Sequence, residues 1–121
     1  MNLRQIAACI GAEILHGEPL LEKVEIERAY ASDLMSDVLA FASPGTLLLT
    51  GLTNVQIIRT AQMMDIPAVV FVRGKRPQEE AVNLARSVGM PLLVSSKSMY
   101  ETCGLLYAAG LSPCVIPHRE A

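Results

Sequence analysis

The sequence has no tryptophan, two phenylalanines, three tyrosines and only three cysteines among its 121 residues. With so few aromatic residues, a core has to be built from aliphatic side chains, and 51% of the residues are hydrophobic. A chain of this length buries enough surface to fold without disulfides or a structural metal. Because Cys9, Cys103 and Cys114 are widely spaced and form no CxxC pair, we expect three reduced cysteines that pack as small hydrophobic residues.

An excess of charge of either sign is also missing. Ten basic and twelve acidic residues give a formal net charge of −2. Proteins that bind a nucleic acid duplex usually carry a basic stripe, so this balance argues against a nucleic acid partner. The sequence has no apolar run as long as a membrane span and no signal peptide pattern near its start. We therefore expect a cytoplasmic protein that binds neither nucleic acid nor membrane.

The motifs of common enzyme classes are absent as well. The sequence contains no GxxxxGK[ST], no GxGxxG after a strand, no GxSxG and no HExxH. His16 and His118 lie near opposite ends of the chain, and neither has a nucleophile at a recognisable spacing. We therefore expect no catalytic residue, no cofactor and no metal, and a protein that works by binding.

What the sequence does contain is an alternation of apolar strand-length runs with amphipathic helical segments. The predicted helices span residues 2–10, 32–41, 54–64, 77–88 and 98–109, and the predicted strands span 13–17, 24–30, 46–50, 68–72 and 91–95. Such alternation favours parallel pairing with helices packed on the sheet. We expect one α/β domain over residues 1–121, with a core to about 111 and a tail over 112–121. Its mostly parallel sheet should have four to five strands flanked by helices, in two or three layers.

Individual residues mark the ends and the buried faces of these helices. We expect a cap at Asn2, a stop at Gly11, Pro77 in the first position of its helix and a left-handed cap at Gly89. The predicted buried stripes consist of Leu34, Val38 and Phe41 in one helix and of Ala81, Leu84, Ala85 and Val88 in another. The tail either adds an edge strand or packs against a second copy.

Three predicted strands end in loops that carry hydroxyl groups, glycines and basic residues. Ligands of open parallel sheets bind beyond the carboxyl ends of the strands, and the helix N-termini that follow these loops favour an anion. The candidate ligand-binding residues are Ser32, Asp33, Thr50, Gly51, Thr53, Asn54, Arg73, Gly74, Lys75, Ser95, Ser96 and Lys97. The ligand would be a phosphate, a nucleotide tail or a partner's carboxylate. The alternative is structural: Thr53, Ser96 and Ser98 cap helices, and the basic residues are simply solvated.

Asp33 and Asp37 are the only paired carboxylates near a predicted strand end. On a helix they would lie at i and i+4, on one face, where two carboxylates can perform acid–base chemistry or hold a hard cation. The alternative is ordinary helix-start chemistry, with Asp33 near the cap and Asp37 in the first turn.

Four stretches of the sequence stand out together: Ile14–Gly17, Ala31–Leu39, Ile66–Gly74 and Gly89–Ser96. They resemble a stand-alone DRTGG domain, the module also found in some phosphotransacetylases and beside CBS domains, and the resemblance extends to about Leu111. The chain is similar to the N-terminal domain of HPr kinase/phosphorylase, which shares its fold with the N-terminal domain of Mur ligases. The pentapeptide Asp-Arg-Thr-Gly-Gly itself is absent, and so is the HPr kinase catalytic domain, so the resemblance implies no kinase activity.

The resemblance implies a non-enzymatic regulatory or ligand-sensing module that binds a small anionic ligand, such as a nucleotide, or a partner protein. It also implies self-association as a homodimer or a higher homo-oligomer, for which the apolar tail offers a contact patch. Residues 32–38 look especially like short DRTGG proteins that accompany iron-only hydrogenase and anaerobic redox genes. The alternative function is therefore a ligand-free adaptor for a redox or hydrogenase-type complex.

Overall fold

The structure is a computed structural model that describes residues 1–117, so His118 and the end of the predicted tail lie outside the described residues. It contains five α-helices, one short 3-10 helix over Glu18–Leu20 and six strands. The helices are α1 (Leu3–Ile10), α2 (Met35–Phe41), α3 (Val55–Met63), α4 (Glu79–Val88) and α5 (Met99–Ala108). The strands are β1 (Glu13–His16), β2 (Arg28–Ala31), β3 (Leu47–Thr50), β4 (Val69–Phe71), β5 (Leu92–Val94) and β6 (Ser112–Pro113).

All six strands belong to one sheet with the order β1-β5-β4-β3-β2-β6. Only β1 runs antiparallel to its neighbour, and the other four pairings are parallel. The predicted α/β class with a mostly parallel sheet is confirmed. The sheet exceeds the expected four to five strands because the start of the tail adds the short edge strand β6 beside β2, one of the two arrangements expected for the tail.

Helices cover the two faces of the sheet unequally, which gives three layers. Side chains alternate along a strand, so Leu47 and Leu49 of β3 pack toward α1 and α5, while Leu48 packs toward the other face. That other face is covered by α2, α3 and α4. The first face has only two helices, packed side by side. The core is therefore two aliphatic layers separated by the sheet.

Most helix ends follow from local chemistry. Asn2 Oδ1 accepts from the N–H of Gln5 at 2.9 Å and Gln5 Oε1 accepts from the N–H of Asn2 at 2.9 Å, a capping box that starts α1. Gly11 ends that helix, and Gly89 ends α4 with a left-handed backbone, both as predicted. The cap of α5 is Ser98, also as predicted. None of the described helices combines the length and apolarity that a membrane crossing requires.

The predicted starts of α3 and α4 were wrong by one or two residues, and one expected cap is not a cap. Asn54 rather than Thr53 caps α3, and its Oδ1 accepts from the N–H of Gln56 at 3.0 Å. Ser96 caps no helix. The N-cap of α4 is Gln78, so Pro77 lies before the helix and not in its first position.

The region between β1 and α2 departs most from the sequence-based expectation. The alternating residues 24–30 predict a long strand, but only Arg28–Ala31 joins the sheet. The preceding residues bind the N-terminal segment instead, with the N–H of Ile26 donating to the carbonyl of Met1 at 2.7 Å.

Two predicted buried stripes are incomplete. Leu34 is 61% exposed and occupies the N-cap of α2, where it lies outside the helical stripe, and only Val38 of its stripe is fully buried. In α4, Val88 is 37% exposed at the last position of the helix, beyond the point where the sheet covers it. The two alanines of that stripe, Ala81 and Ala85, are buried as expected.

Candidate functional site

The loops that follow β2, β3, β4 and β5 lie at one edge of the sheet, because these four strands are parallel. We call this edge the strand-end rim and define it as residues 32–33, 50–54, 73–76 and 95–98. Backbone hydrogen bonds join neighbouring loops: the N–H of Arg73 donates to Lys97 O at 2.8 Å, and the N–H of Gly74 donates to Ser95 O at 2.8 Å. The candidate residues therefore belong to one continuous surface.

Asp33 is the centre of this rim. Its Oδ1 accepts a hydrogen bond from the N–H of Gly51 at 2.6 Å and another from Thr50 Oγ1 at 3.2 Å. Its Oδ2 lies 3.7 Å from Arg73 Nη2. One half-exposed carboxylate thus links the loops after β2, β3 and β4. The interpretation of Asp33 as a helix cap was wrong, because Leu34 holds the N-cap position of α2 and has no capping side chain.

Arg73 lies across the surface of the β3 loop. A Cβ atom on Gly51 would lie 2.1 Å from Arg73 Nη2, so only glycine leaves room for the guanidinium in this position. The Arg73 backbone has a φ of 58°, in the left-handed region that non-glycine residues rarely adopt. Within residues 1–117 the guanidinium makes no other polar side-chain contact than the one with Asp33, and 44% of its side chain is exposed. Its N–H donors therefore form no hydrogen bond with the described residues.

The remaining cations of the rim are arranged differently. Lys97 Nζ donates to the carbonyl of Ile10 at 3.2 Å, at the end of α1, so its charge is directed away from Arg73. Arg76 forms an ion pair with Glu13 of β1. Lys75 is exposed and has no side-chain partner among the described residues. Arg73 and Lys75 are thus the basic side chains most available to a ligand.

The polar residues of the rim mostly support its backbone. Ser95 is buried and its Oγ lies 3.1 Å from Thr102 Oγ1, while Ser32 Oγ accepts from the N–H of Leu34 at 3.0 Å. The carbonyl of Thr53 accepts from the N–H of Gln78 at 2.9 Å, and Ser96 is exposed. A ligand-binding role for these residues stays a prediction.

Asp37 does not accompany Asp33. It lies in the first turn of α2, close to Tyr30, whose pKa is raised by burial and further by the Asp37 carboxylate. Because Asp33 precedes the helix, the two carboxylates do not share a helical face. Among residues 1–117, no three histidine, cysteine, aspartate or glutamate side chains are grouped closely enough to hold a metal ion. The paired-carboxylate hypothesis therefore loses its geometric basis.

The cysteines are free, and two of them occupy contrasting environments. Burial raises the pKa of the Cys103 thiol. Burial also acts on Cys114, but hydrogen bonds with Thr46 and Ser43 and the charge of Arg28 outweigh it and lower the pKa of that thiol. Cys114 Sγ lies 3.3 Å from Thr46 Oγ1, so this residue is a hydrogen-bonded thiol and not merely a small hydrophobic group.

An apolar groove lies beside α5, on the face of the sheet that has only two helices. We call it the α5 groove; its volume is about 350 Å³ and it lies between α5 and the strands β2 and β6. Its lining includes Ala29, Ala31, Tyr100, Cys103, Gly104, Leu106 and Tyr107. The sequence-based predictions did not include this groove. The available signal was the row of Tyr100, Cys103 and Tyr107 at i, i+3 and i+7, on a helix that is apolar on nearly all sides.

His16 lies away from both regions. It pairs with Leu92 at the start of β5, at the end of that strand opposite the strand-end rim. Its Nε2 is buried without a hydrogen-bond partner in the described part of the chain. Because it lies at the opposite end of the strand, His16 adds nothing to the rim.

Both a protein family and a solved structure resemble this chain. A model of the DRTGG domain family matches residues 5–109. Among solved structures, the CBS and DRTGG domains of the regulatory region of Clostridium perfringens pyrophosphatase, complexed with the activator diadenosine tetraphosphate, match with a TM-score of 0.67 and 14% identity. The match covers 87% of this chain but only 45% of the other, and this likeness concerns the fold. No curated protein matches the sequence.

Proposed function

This chain belongs to the DRTGG domain family, as its sequence predicted, and on that premise we propose that it is a regulatory module that senses a small anionic ligand. It acts by binding and not by catalysis. The observation that carries the proposal is the Arg73 guanidinium, which is held over Gly51 beside Asp33 and whose N–H donors form no hydrogen bond with residues 1–117. The pyrophosphatase region that shares the fold binds a nucleotide activator, which makes nucleotides the first ligands to test.

The chemistry of Arg73 suits a phosphate. A guanidinium offers a planar fork of donors that matches phosphate oxygens, and it stays charged at all physiological pH values. Lys75 adds a second exposed positive charge two residues along the same loop. The N-terminus of α3, which starts at the neighbouring β3 loop, adds partial positive charge. Asp33 repels an anion, so the ligand has to displace Arg73 from this carboxylate or bind on its outer side.

Competition between the ligand and Asp33 for Arg73 gives ligand binding a structural consequence. Asp33 holds the β3 loop through the Gly51 N–H while it faces Arg73 of the β4 loop. A ligand that takes Arg73 leaves Asp33 bound to the β3 loop alone. The link between the two loops is then made through the ligand, so occupancy changes how the rim is tied together. A regulatory domain can transmit such a change to a neighbour without catalysis.

Calorimetric titration tests the proposal, with inorganic phosphate, AMP, ATP and diadenosine tetraphosphate as separate titrants. We expect at least one of these anions to bind, and Arg73→Ala to weaken that binding by about tenfold or more, since a charge-assisted hydrogen bond contributes roughly 1.5–3 kcal/mol. Gly51→Ala should weaken binding less, because its methyl group displaces the guanidinium without removing it.

The matched control is Arg86→Ala, which removes an exposed arginine from the last turn of α4, far from the rim. It should leave affinity unchanged. If no titrant binds, or if Arg86→Ala weakens binding as much as Arg73→Ala does, the rim is not the anion site. A flat titration together with a stoichiometric complex with a redox enzyme would favour the adaptor function instead.

A further inference from the structure

The α5 groove borders the strand-end rim. Its lining residues Ala31, Leu49 and Tyr100 lie one or two positions along the chain from residues of the rim. From Ala31 the chain reaches Asp33 within at most about 7 Å, and Asp33 Oδ2 lies 3.7 Å from Arg73 Nη2. An apolar recess and a guanidinium without hydrogen-bond partners among residues 1–117 are therefore neighbours, within reach of one small molecule.

The groove has the size of a small-molecule site but lacks its polar groups. Its volume of about 350 Å³ falls at the lower end of the roughly 300–1,000 Å³ of small-ligand pockets. Such pockets combine apolar and aromatic walls with a few polar groups that fix the orientation of the ligand. Within the described part of the chain, no charged side chain lines the groove, so polar anchoring has to come from the neighbouring rim. A ligand that fits both regions has an apolar part for the groove and an anionic part for Arg73.

Gly104 indicates the shape of the apolar part. It lies in the groove wall between Tyr100 and Tyr107, which are about one turn before and after it on the same side of α5 and are 91% and 71% exposed. A Cβ atom built on Gly104 would meet no heavy atom of the described residues within 4 Å, so their packing does not require a glycine. Glycine weakens a helix, and one use of it is to let a ligand approach the backbone closely. The missing side chain leaves a flat strip of helix between two aromatic rings, which suits a planar ring better than a flexible acyl chain.

From these observations we infer that the anion sensed at the rim is a nucleotide whose base lies in the α5 groove, over Gly104 and against the rings of Tyr100 and Tyr107. The inference rests on the proposed function, because the phosphate of this nucleotide is the group that binds Arg73. Stacking of a base on aromatic side chains uses the face of the base and not its hydrogen-bonding edge. The groove therefore distinguishes nucleotides from bare phosphates, and it does not distinguish one purine from another.

Calorimetric titration of the full chain with ATP, GTP and inorganic tripolyphosphate tests the inference. Tripolyphosphate carries the phosphate chain of ATP without the nucleoside. We expect ATP to bind at least tenfold more tightly than tripolyphosphate, because only ATP brings a base to the tyrosines. GTP should bind about as tightly as ATP, since stacking tolerates either base.

Two variants of α5 locate the base. Gly104→Leu places a side chain on the strip where the base lies, so it should reduce the affinity for ATP to that for tripolyphosphate. The variant should fold, since the added side chain meets open space and leucine is a good helix former. Tyr107→Ala removes one stacking ring and should lower the affinity for ATP by a smaller factor. Arg73→Ala should weaken the binding of ATP and tripolyphosphate alike.

The matched control for Tyr107→Ala is Met63→Ala, which removes an equally exposed apolar side chain from α3 on the opposite face of the sheet. It should leave the affinity for ATP unchanged. Equal affinities for ATP and tripolyphosphate overturn the base site and leave the anion site standing. So does ATP binding that withstands Gly104→Leu in a protein folded by circular dichroism. A dimer in light scattering that Gly104→Leu dissociates also overturns it, because a second copy then covers the groove. If none of the three anions binds, the proposed function falls and this inference falls with it.

Discussion

The strand-end rim and the α5 groove flank the same sheet, yet they are built from opposite chemistry. In the rim, loops from four strands are joined by backbone hydrogen bonds, and Asp33 ties three of them together. In the groove, apolar side chains line a recess of about 350 Å³ that none of the helices within residues 1–117 covers. The rim is closed by its own contacts, whereas the groove is left open by the uneven number of helices on the two faces.

This difference separates two kinds of surface. Polar groups at a strand end can satisfy one another locally, so the rim already has a defined arrangement before a ligand binds. Apolar groups have no directional partner, and they are stabilised only when something removes them from water. Truncation of an apolar side chain should therefore change the free energy of unfolding by a different amount at the groove than inside the core. Removal of a polar partner should lower the free energy of unfolding mainly at the rim.

The largest effect should come from leucine truncations on the face that contains the groove. Leu93 and Leu106 are both buried, but only Leu106 lines the groove. We expect Leu93→Ala to lower the free energy of unfolding by about 3–5 kcal/mol and Leu106→Ala by about 2 kcal/mol, because the space left by Leu106 merges with an open recess. Urea unfolding at low protein concentration measures both. Equal decreases in the free energy of unfolding for the two variants would contradict the interpretation that the groove is loosely covered.

A smaller effect should come from the polar centre of the rim. Asp33→Ala leaves the Gly51 N–H and the buried Thr50 hydroxyl without their acceptor, so it should lower the free energy of unfolding by about 1–3 kcal/mol. Asp33→Asn keeps an oxygen acceptor and loses only a half-exposed ion pair, which contributes about 0–1 kcal/mol. If the two variants are equally destabilised, the charge and not the hydrogen bonds holds the rim.

The smallest effect should appear in the pH dependence of stability. Burial beside the groove raises the pKa of Cys103, so the folded state binds this proton more tightly than the unfolded state. Its contribution to stability is therefore complete below the ordinary thiol pKa of about 8.5 and decreases as the pH rises above it. Cys103→Ala should remove that decrease from unfolding curves measured at neutral and alkaline pH.

Cys114 provides the contrasting case. Its pKa is lowered in the folded state, because hydrogen bonds and the Arg28 charge outweigh the effect of burial. Its contribution should accordingly grow as the pH rises through the thiol range, and Cys114→Ala should remove that growth. Two variants that change the slope in the same direction would show that the two thiols do not differ as their surroundings indicate.

Local sequence patterns predicted much of the fold because local interactions decide it. The five helices, the three central strands and the caps Asn2 and Ser98 follow from apolar spacing and from side chains that bond within one turn. Predictions failed where a segment distant in the sequence forms the hydrogen bonds that a local partner was expected to form. Glu25 and Ile26 pair with the N-terminal segment instead of extending β2, and Asp33 bonds to a loop 18 residues away instead of capping α2.

The candidate site also has features that local sequence predicts and features that depend on distant segments. The loops that carry Thr50, Arg73 and Ser95 were predicted to share one edge, since parallel strands place their carboxyl ends together. The direction in which each side chain points could not be predicted from the sequence. Lys97 turns to the end of α1 and Arg76 to Glu13, because those carbonyl and carboxylate groups come within reach only in the folded chain.

The sequence by itself determined the α/β class, the alternation of strands with helices and the edge of the sheet where polar loops gather, since each depends on periodicity or on short-range bonding. Only the tertiary structure decided that Asp33, Gly51 and Arg73 meet, and that α5 borders a recess beside β2 and β6. The physical reason is that these contacts depend on how the helices are shared between the two faces of the sheet and on which distant loops become neighbours.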